Sequence, residues 1–331
     1  PHYGSIQMMY AEDTNLTVFQ ENKVSRALID KDAIYSAEGS GAVTSTNLVI
    51  GQITPYTGEY GISKNPESFD VFGFRKYFTD KYRKSVLRLS RDGITEISNY
   101  GMSDFFRDEL SEINDNFTTY CVEFLDPSSL TQSPTWPYPN PLPPFATPIT
   151  LTVTGFTAAQ LEQIEVGMGL YVKQSGSLIN TQSFVKDVNT STGVITLKNL
   201  PGQQLTVTGD PADGIAFCSF RKDKIIGTYD NYKDNYIVSL SKAKTSPSSI
   251  EDYNTITYDE QSQGWVSFYS YLPETTRSLR NNLYSTKGNS LYVHYSDLTG
   301  RNMWYGQPAA KSSISFVFNP NVSINKNFKT I

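Results

Sequence analysis

The chain has 331 residues, a formal net charge of −5, 38% hydrophobic and 18% charged residues. The charge is dispersed, so no basic field invites nucleic acid. No run of about eighteen apolar residues spans a bilayer, and no basic stretch followed by an apolar core marks a signal peptide. Aromatics reach 13%, led by 22 Tyr and 18 Phe, which together with abundant Ser, Thr and Asn is the composition of a β-rich fold.

In chain order, Ile6–Tyr10 and Leu16–Phe19 suit strands. Residues 21–69 are punctuated by Gly39, Gly41, Gly51, Gly58, Gly61 and the Asn65-Pro66 pair, which predicts short β elements joined by shaped loops. The Gly-Ser-Gly-Ala at 39–42 lacks the spacing of a phosphate loop, and no helical pattern follows it. Residues 69–98 read as strands, with Asp92-Gly93 turning the chain into Ile94. A helix is predicted at 103–115, with Ser103 as N-cap, Asp104 in the first turn, and Phe105, Phe106, Leu110 and Ile113 forming a stripe that docks on a sheet.

Seven prolines between Ser133 and Pro148 predict a stiff, extended connector. From Ile149 to Ser219 an alternating pattern, with Asn189-Thr-Ser-Thr-Gly193 as a hairpin loop, predicts a small β module of about seventy residues. Its core is small enough that it must lean on its neighbours. Cys121 and Cys218 flank it; whether they pair stays open, and assembly in a reducing compartment is the working expectation. The predicted organisation is therefore a β-rich domain at 1–132, a Pro-rich linker at 133–148, an inserted β module at 149–219, and β-hairpins at 220–331 that continue the first domain. Because the sequence begins at Pro1, we expect a piece of a longer polypeptide, or a processed one.

The region from Lys224 to Tyr271 follows one rule twice. An apolar strand ends in Tyr229-Asp230, five residues follow, and Tyr236 starts the return; another ends in Tyr258-Asp259, five residues follow, and Trp265 starts the return. A third copy runs from Tyr77 through Asp80 to Val86. Each aspartate, Asp80, Asp230 and Asp259, is expected to accept hydrogen bonds from the N–H groups of its own turn, starting the loop without a glycine. Repeated hairpins of one design predict a mainly β fold of antiparallel meanders, propeller-like or sandwich-like, with one short helix and the inserted module. Asn282–Thr286, Lys287-Gly288-Asn289 and Ser290–Tyr295 form a further hairpin. Ile314–Phe318 begins a last strand pair that ends in Phe328–Ile331.

Chemistry is sparse. The two histidines, His2 and His294, have no neighbouring ligands in sequence, so neither a metal nor another cofactor is expected. Glycosidases need paired carboxylates. Asp230 and Asp259 are accounted for by their turns and Asp234 and Glu260 by exposed loops, so no catalytic residue is assigned. Trp136, Trp265 and Trp304 are the aromatic platforms a glycan binder would use. The simpler expectation is that Trp265 is core, with Trp136 and Trp304 as surface-contact aromatics and Trp304 at a subunit contact.

Residues 21–40 (ENKVSRALIDKDAIYSAEGS), 58–110 (from GEYGISKNPESFDVFGF to DFFRDEL) and 253–271 (YNTITYDEQSQGWVSFYSY) resemble segments of large tail-region proteins of crAss-like and marine bacteriophages, which sit at the tail nozzle, muzzle or hub. The hairpin pattern is also similar to propeller-bearing nozzle proteins of short-tailed phages. VGMGLYV with VNTSTGVITL resembles a small β module often inserted in such proteins.

The resemblance implies a non-enzymatic virion structural protein of the tail, assembled in the bacterial host cytoplasm. It implies contacts to portal, adaptor or other tail components, and a homo-oligomeric ring through which DNA passes without sequence-specific binding. The alternative it leaves is a tail adhesin that binds a host-surface receptor glycan.

Overall fold

The computed structural model describes residues 2–12, 15–35, 41–124, 130–133, 149–153, 158–174, 177–199, 215–243, 252–288 and 290–315. The fold is mainly β, as the hairpin pattern predicts, and every strand pairing among the described residues is antiparallel.

Strands β1 (Ile6–Glu12), β2 (Asn15–Gln20), β3 (Val24–Tyr35) and β4 (Gly41–Pro55) form a four-stranded meander. β3 and β4 are thus two long strands and not the short elements that the glycines predict. The β3–β4 register slips at Ala27/Ile29 and Ile29/Lys31, and Gly51 falls opposite the first of these slips, between Ile50 and Ile53. A second meander holds β5 (Asp70–Phe72), β6 (Arg75–Asp80), β7 (Ser85–Ser90) and β8 (Gly93–Glu96). Its β7–β8 turn uses Arg91 and Asp92, with Gly93 at φ +106°, a conformation that suits a residue without Cβ.

Helix α1 spans Ser103–Glu112. Its N-cap is Met102, with no side-chain capping bond, so Ser103 is the first helical residue and not the cap. The apolar stripe behaves as predicted. Phe106, Leu110 and Ile113 are buried among Tyr77, Val86, Ile225, Tyr236, Val238 and Ile256, and the Phe106 ring lies 4.7 Å from that of Trp265.

Next come β9 (Thr118–Phe124), β10 (Leu130–Ser133), β11 (Ile149–Val153), the short α2 (Ala158–Leu161), β12 (Gly169–Gln174), β13 (Ser177–Asn189), β14 (Val194–Asn199) and β15 (Ile215–Arg221). They form one seven-stranded sheet in the order β10-β11-β14-β13-β12-β15-β9. The sheet draws in 118–124 and 130–133, upstream of the proline-rich stretch. Residues 134–148, with Trp136, lie outside the described residues, as do Leu205–Thr208 and 316–331. Cys121 and Cys218 stand directly opposite each other in the β9–β15 register and form a disulfide, which settles the pairing that spacing left open.

The chain returns to meanders with β16 (Lys224–Asp230), β17 (Asn235–Lys242), β18 (Asp252–Asp259) and β19 (Gly264–Tyr269), which form one sheet, so the two similar hairpins share a single ladder. A three-stranded sheet follows: β20 (Thr275–Leu279), β21 (Asn282–Lys287) and β22 (Ser290–Val293). Strand β16 is the hub and lies against β5, β6 and β20. Its closest approach is at Gly227, where an added Cβ would stand 1.9 Å from Ser68 O and 2.3 Å from Tyr236 Oη, so only glycine fits.

Candidate functional site

The three repeated hairpins close identically. Asp80 pairs with Ser85, Asp230 with Asn235, and Asp259 with Gly264, so each loop has four residues and not five. The last loop residue of each is left-handed without being glycine: Lys84 at φ 59°, Asp234 at φ 57°, Gln263 at φ 49°. The aspartates cap their turns as predicted. Asp80 Oδ1 accepts from Arg83 N (3.1 Å), Asp230 Oδ1 from Tyr232 N (2.9 Å), and Asp259 Oδ2 from Ser262 N (2.8 Å). The Ser262 hydrogen bonds hold the Asp259 carboxyl below its usual range.

The same carboxylates also reach beyond their own turns. Asp80, fully buried, accepts from Gly61 N at 2.9 Å and Ser63 Oγ at 3.0 Å, fixing the segment that leaves β4. Asp230, also fully buried, accepts from the Tyr295 hydroxyl at 2.6 Å, tying β16 to the end of the three-stranded sheet. Burial, then the Asp230 bond, pushes the Tyr295 phenol far above its ordinary range, so it stays a donor.

Glu260, beside Asp259, corrects the sequence reading most clearly. Its side chain is only 8% exposed, not solvated in a loop. It accepts from Tyr77 Oη at 2.5 Å and Arg88 Nη1 at 2.6 Å, with Arg75 Nη1 at 3.7 Å. Tyr77 is fully buried and stacks with Tyr236 (4.8 Å) and Tyr229 (5.3 Å), so a ring column crosses between the second meander and the β16–β19 sheet. Burial and then Glu260 push the Tyr77 phenol far up. The Tyr229 hydroxyl donates to Asp234 at 2.7 Å.

Asp70 is a junction residue that no sequence pattern marks. From β5 it accepts from Tyr229 N of β16 (2.7 Å) and Arg277 Nη1 of β20 (2.8 Å), so one carboxylate joins three sheets. Burial raises its pKa against those bonds.

Two concavities lie among the described residues. A cleft of 570 Å³ lies where β15 meets the later sheets, lined in part by Phe117, Phe220, Arg221, Lys224, Lys242 and Glu274. Two of its cations are ion-paired: Arg221 with Glu165 at 2.6 Å, and Lys242 with Glu109 (3.3 Å), Asp252 (3.0 Å) and Glu112. Burial lowers the Lys242 pKa, but its carboxylate partners outweigh that and hold it well above the usual range.

A smaller pocket of 110 Å³ is lined by Tyr292, His294, Tyr295, Met303, Trp304 and Tyr305, among others. Trp304 is half-buried, its ring 4.5 Å from that of Tyr271 and 5.5 Å from His294. His294 Nε2 lies 2.6 Å from Ser285 Oγ, and burial lowers its pKa to about 4. Trp265 packs on the core as expected, with Nε1 donating to Ile97 O at 3.0 Å.

Among the described residues, no group of three or more His, Cys, Asp or Glu converges to hold a metal ion, and no helix is long and apolar enough to cross a membrane. No family model matches the chain, and no curated protein matches it. Among solved structures, the Pan2 WD40 domain of Neurospora crassa is similar over 88% of this chain and 76% of that one, at 7% identity and a TM-score of 0.17, a likeness too slight to carry an argument.

Proposed function

We propose that this chain is a structural component of a tailed-phage virion, placed in the tail at the nozzle, muzzle or hub, where copies form part of a ring around the DNA channel. The observation that carries the reading is the set of polar ties between sheets, most of them part-buried: Glu260 to Tyr77 and Arg88, Asp70 to Tyr229 and Arg277, Asp230 to Tyr295. Such ties specify one relative placement of neighbouring sheets, which is what a part whose role is shape requires. The resemblance of residues 21–40, 58–110 and 253–271 to phage tail-region proteins supports the same reading.

Electron microscopy and protein mass spectrometry of purified particles test it. The chain is expected in the tail in stoichiometric amounts. Finding it only in infected-cell cytosol, absent from particles, overturns the proposal.

A second reading, a tail adhesin for host glycans, is favoured by one observation: Trp304, Tyr292 and His294 share the 110 Å³ pocket. Glycan-array binding that is lost in Trp304→Ala supports it, and no binding at millimolar sugar rejects it.

A further inference from the structure

Three of the meanders have four strands each; among the described residues the sheet β20–β21–β22 has three. Its outer strand, β22, pairs with no further strand among the described residues, and one backbone bond sets the hydrogen-bond phase of that edge. His294 N donates to Leu283 O at 2.9 Å, and Leu283 stands directly opposite His294 in the register that pairs Tyr284 with Val293. Opposite pairs in an antiparallel ladder alternate between bonded and non-bonded. Tyr292 and Ser290 therefore turn their backbone groups toward β21, while Leu291 and Val293 turn theirs outward. No turn or loop backbone bond among the described residues reaches either.

The side chains of Leu291 and Val293 are 69% and 49% exposed, on the same face. Natural edges are blunted by lysine, proline or a bulge, yet Ser290-Leu291-Tyr292-Val293 carries none of these. The same chain holds a stretch that suits such an edge. Ile314-Ser315-Phe316-Val317-Phe318 is rich in β-branched and aromatic residues, and as a strand it would set Ile314, Phe316 and Phe318 on one face. Ile314 is 85% exposed, and neither it nor Ser315 belongs to a strand.

We propose that residues 314–318 of one copy add as the fourth strand to the β22 edge of the next copy, pairing with the outward backbone groups of Leu291 and Val293. This deepens the ring reading and rests on it. A contact in which the donor segment of one copy meets the edge of another is head-to-tail, and it closes into a ring when the rotation per copy allows. Main-chain pairing supplies the affinity, and burial of Ile314 and Phe316 or Phe318 beside Leu291 and Val293 adds to it.

The test uses the full chain, a Val293→Pro variant, and a chain ending at Ser313, each followed by sedimentation velocity over a concentration series. Proline at 293 removes one outward N–H and no bond to β21. Hydrogen exchange in β20 and β21 checks that the sheet itself persists. The expected result is a concentration-dependent oligomer for the full chain, weakened by roughly tenfold or more in each variant, with β20–β21 protection unchanged.

If both variants assemble like the full chain, the strand addition is wrong while the ring reading stands. If the full chain stays monomeric but its Leu291 and Val293 amides are protected and lose protection on truncation, the strand folds back on its own sheet and the exchange between copies is wrong. If it stays monomeric with those amides unprotected, both the exchange and the self-assembled ring are wrong.

Discussion

Glu260→Ala is the sharpest test of how the sheets are held. The wild-type carboxylate sits between a fully buried phenol, Tyr77, and the Arg88 guanidinium, whose side chain is 19% exposed. Those partners are 183 and 172 residues away in sequence, so the contact belongs to the assembled fold and not to the local turn. Removing one member of a fully buried ion pair costs about 3–5 kcal/mol. Arg88 keeps some access to water, which lowers that term, while Tyr77 loses its acceptor in a dry site, adding about 1–3 kcal/mol. The net expectation is a loss of about 3 kcal/mol in denaturant unfolding, with Glu260→Gln costing about 1 kcal/mol because the amide oxygen still accepts from Tyr77. A double-mutant cycle with Arg88→Ala should show a coupling of about 1–2 kcal/mol. A loss under about 0.5 kcal/mol with no coupling, the behaviour of an ordinary surface position, would refute the argument and return Glu260 to the solvated loop in which its sequence context places it.

Gly227→Ala forces a Cβ to within 1.9 Å of a backbone oxygen, Ser68 O, and should cost about 3 kcal/mol or abolish folding, read from expression and thermal melts; a melt within a degree of wild type rejects that close approach. At the left-handed loop position of β18–β19, Gln263→Val should destabilise by about 1–2 kcal/mol while Gln263→Gly is near neutral, since valine cannot relax at φ 49°; equal effects would mean the loop adopts another turn in solution. His294 supplies a pH dependence. Its folded pKa, about 4, lies below the ordinary 6.5 because burial disfavours the imidazolium, so the unfolded chain binds more protons between those values. Stability from this group is full above pH 6.5, falls as pH drops toward 4, and is flat below, with a total span of about 3 kcal/mol at most. His294→Phe should flatten that part of the urea-midpoint profile, and an unchanged slope would assign it elsewhere.

The hairpins were legible because their causes are local. An aspartate accepting from N–H groups two and three residues on is a short-range device, so Asp80, Asp230 and Asp259 announce their turns in any context. The stripe of α1 was legible for the same reason, although its cap was not, since Met102 takes that place without a side-chain bond. What failed to show was anything set by long-range register. The strands β3 and β4 look broken in sequence because bulges, which only the partner strand reveals, absorb their irregular pattern. The Cys121–Cys218 bond depends on β9 and β15 meeting in one register across 97 residues. Asp70 and Glu260 carry no pattern at all: an acidic residue on a short strand, or in a turn, becomes a junction only once another sheet presents its donors.

The turn carboxylates explain how one sequence device serves two levels of structure. A carboxylate has two oxygens, and a four-residue turn of this type occupies one of them. Asp80 and Asp230 turn the second oxygen outward, to Gly61 N and to the Tyr295 hydroxyl. Asp259 uses both oxygens within its turn, on Ser262 and Gln261, and the outward contact passes to its neighbour Glu260. The hairpin rule thus places an acid at each loop tip, and the second acceptor at that tip locks the sheet to whatever lies beside it. The ties between sheets then come from the same loop tips that start each hairpin, through Asp80, Asp230 and Glu260.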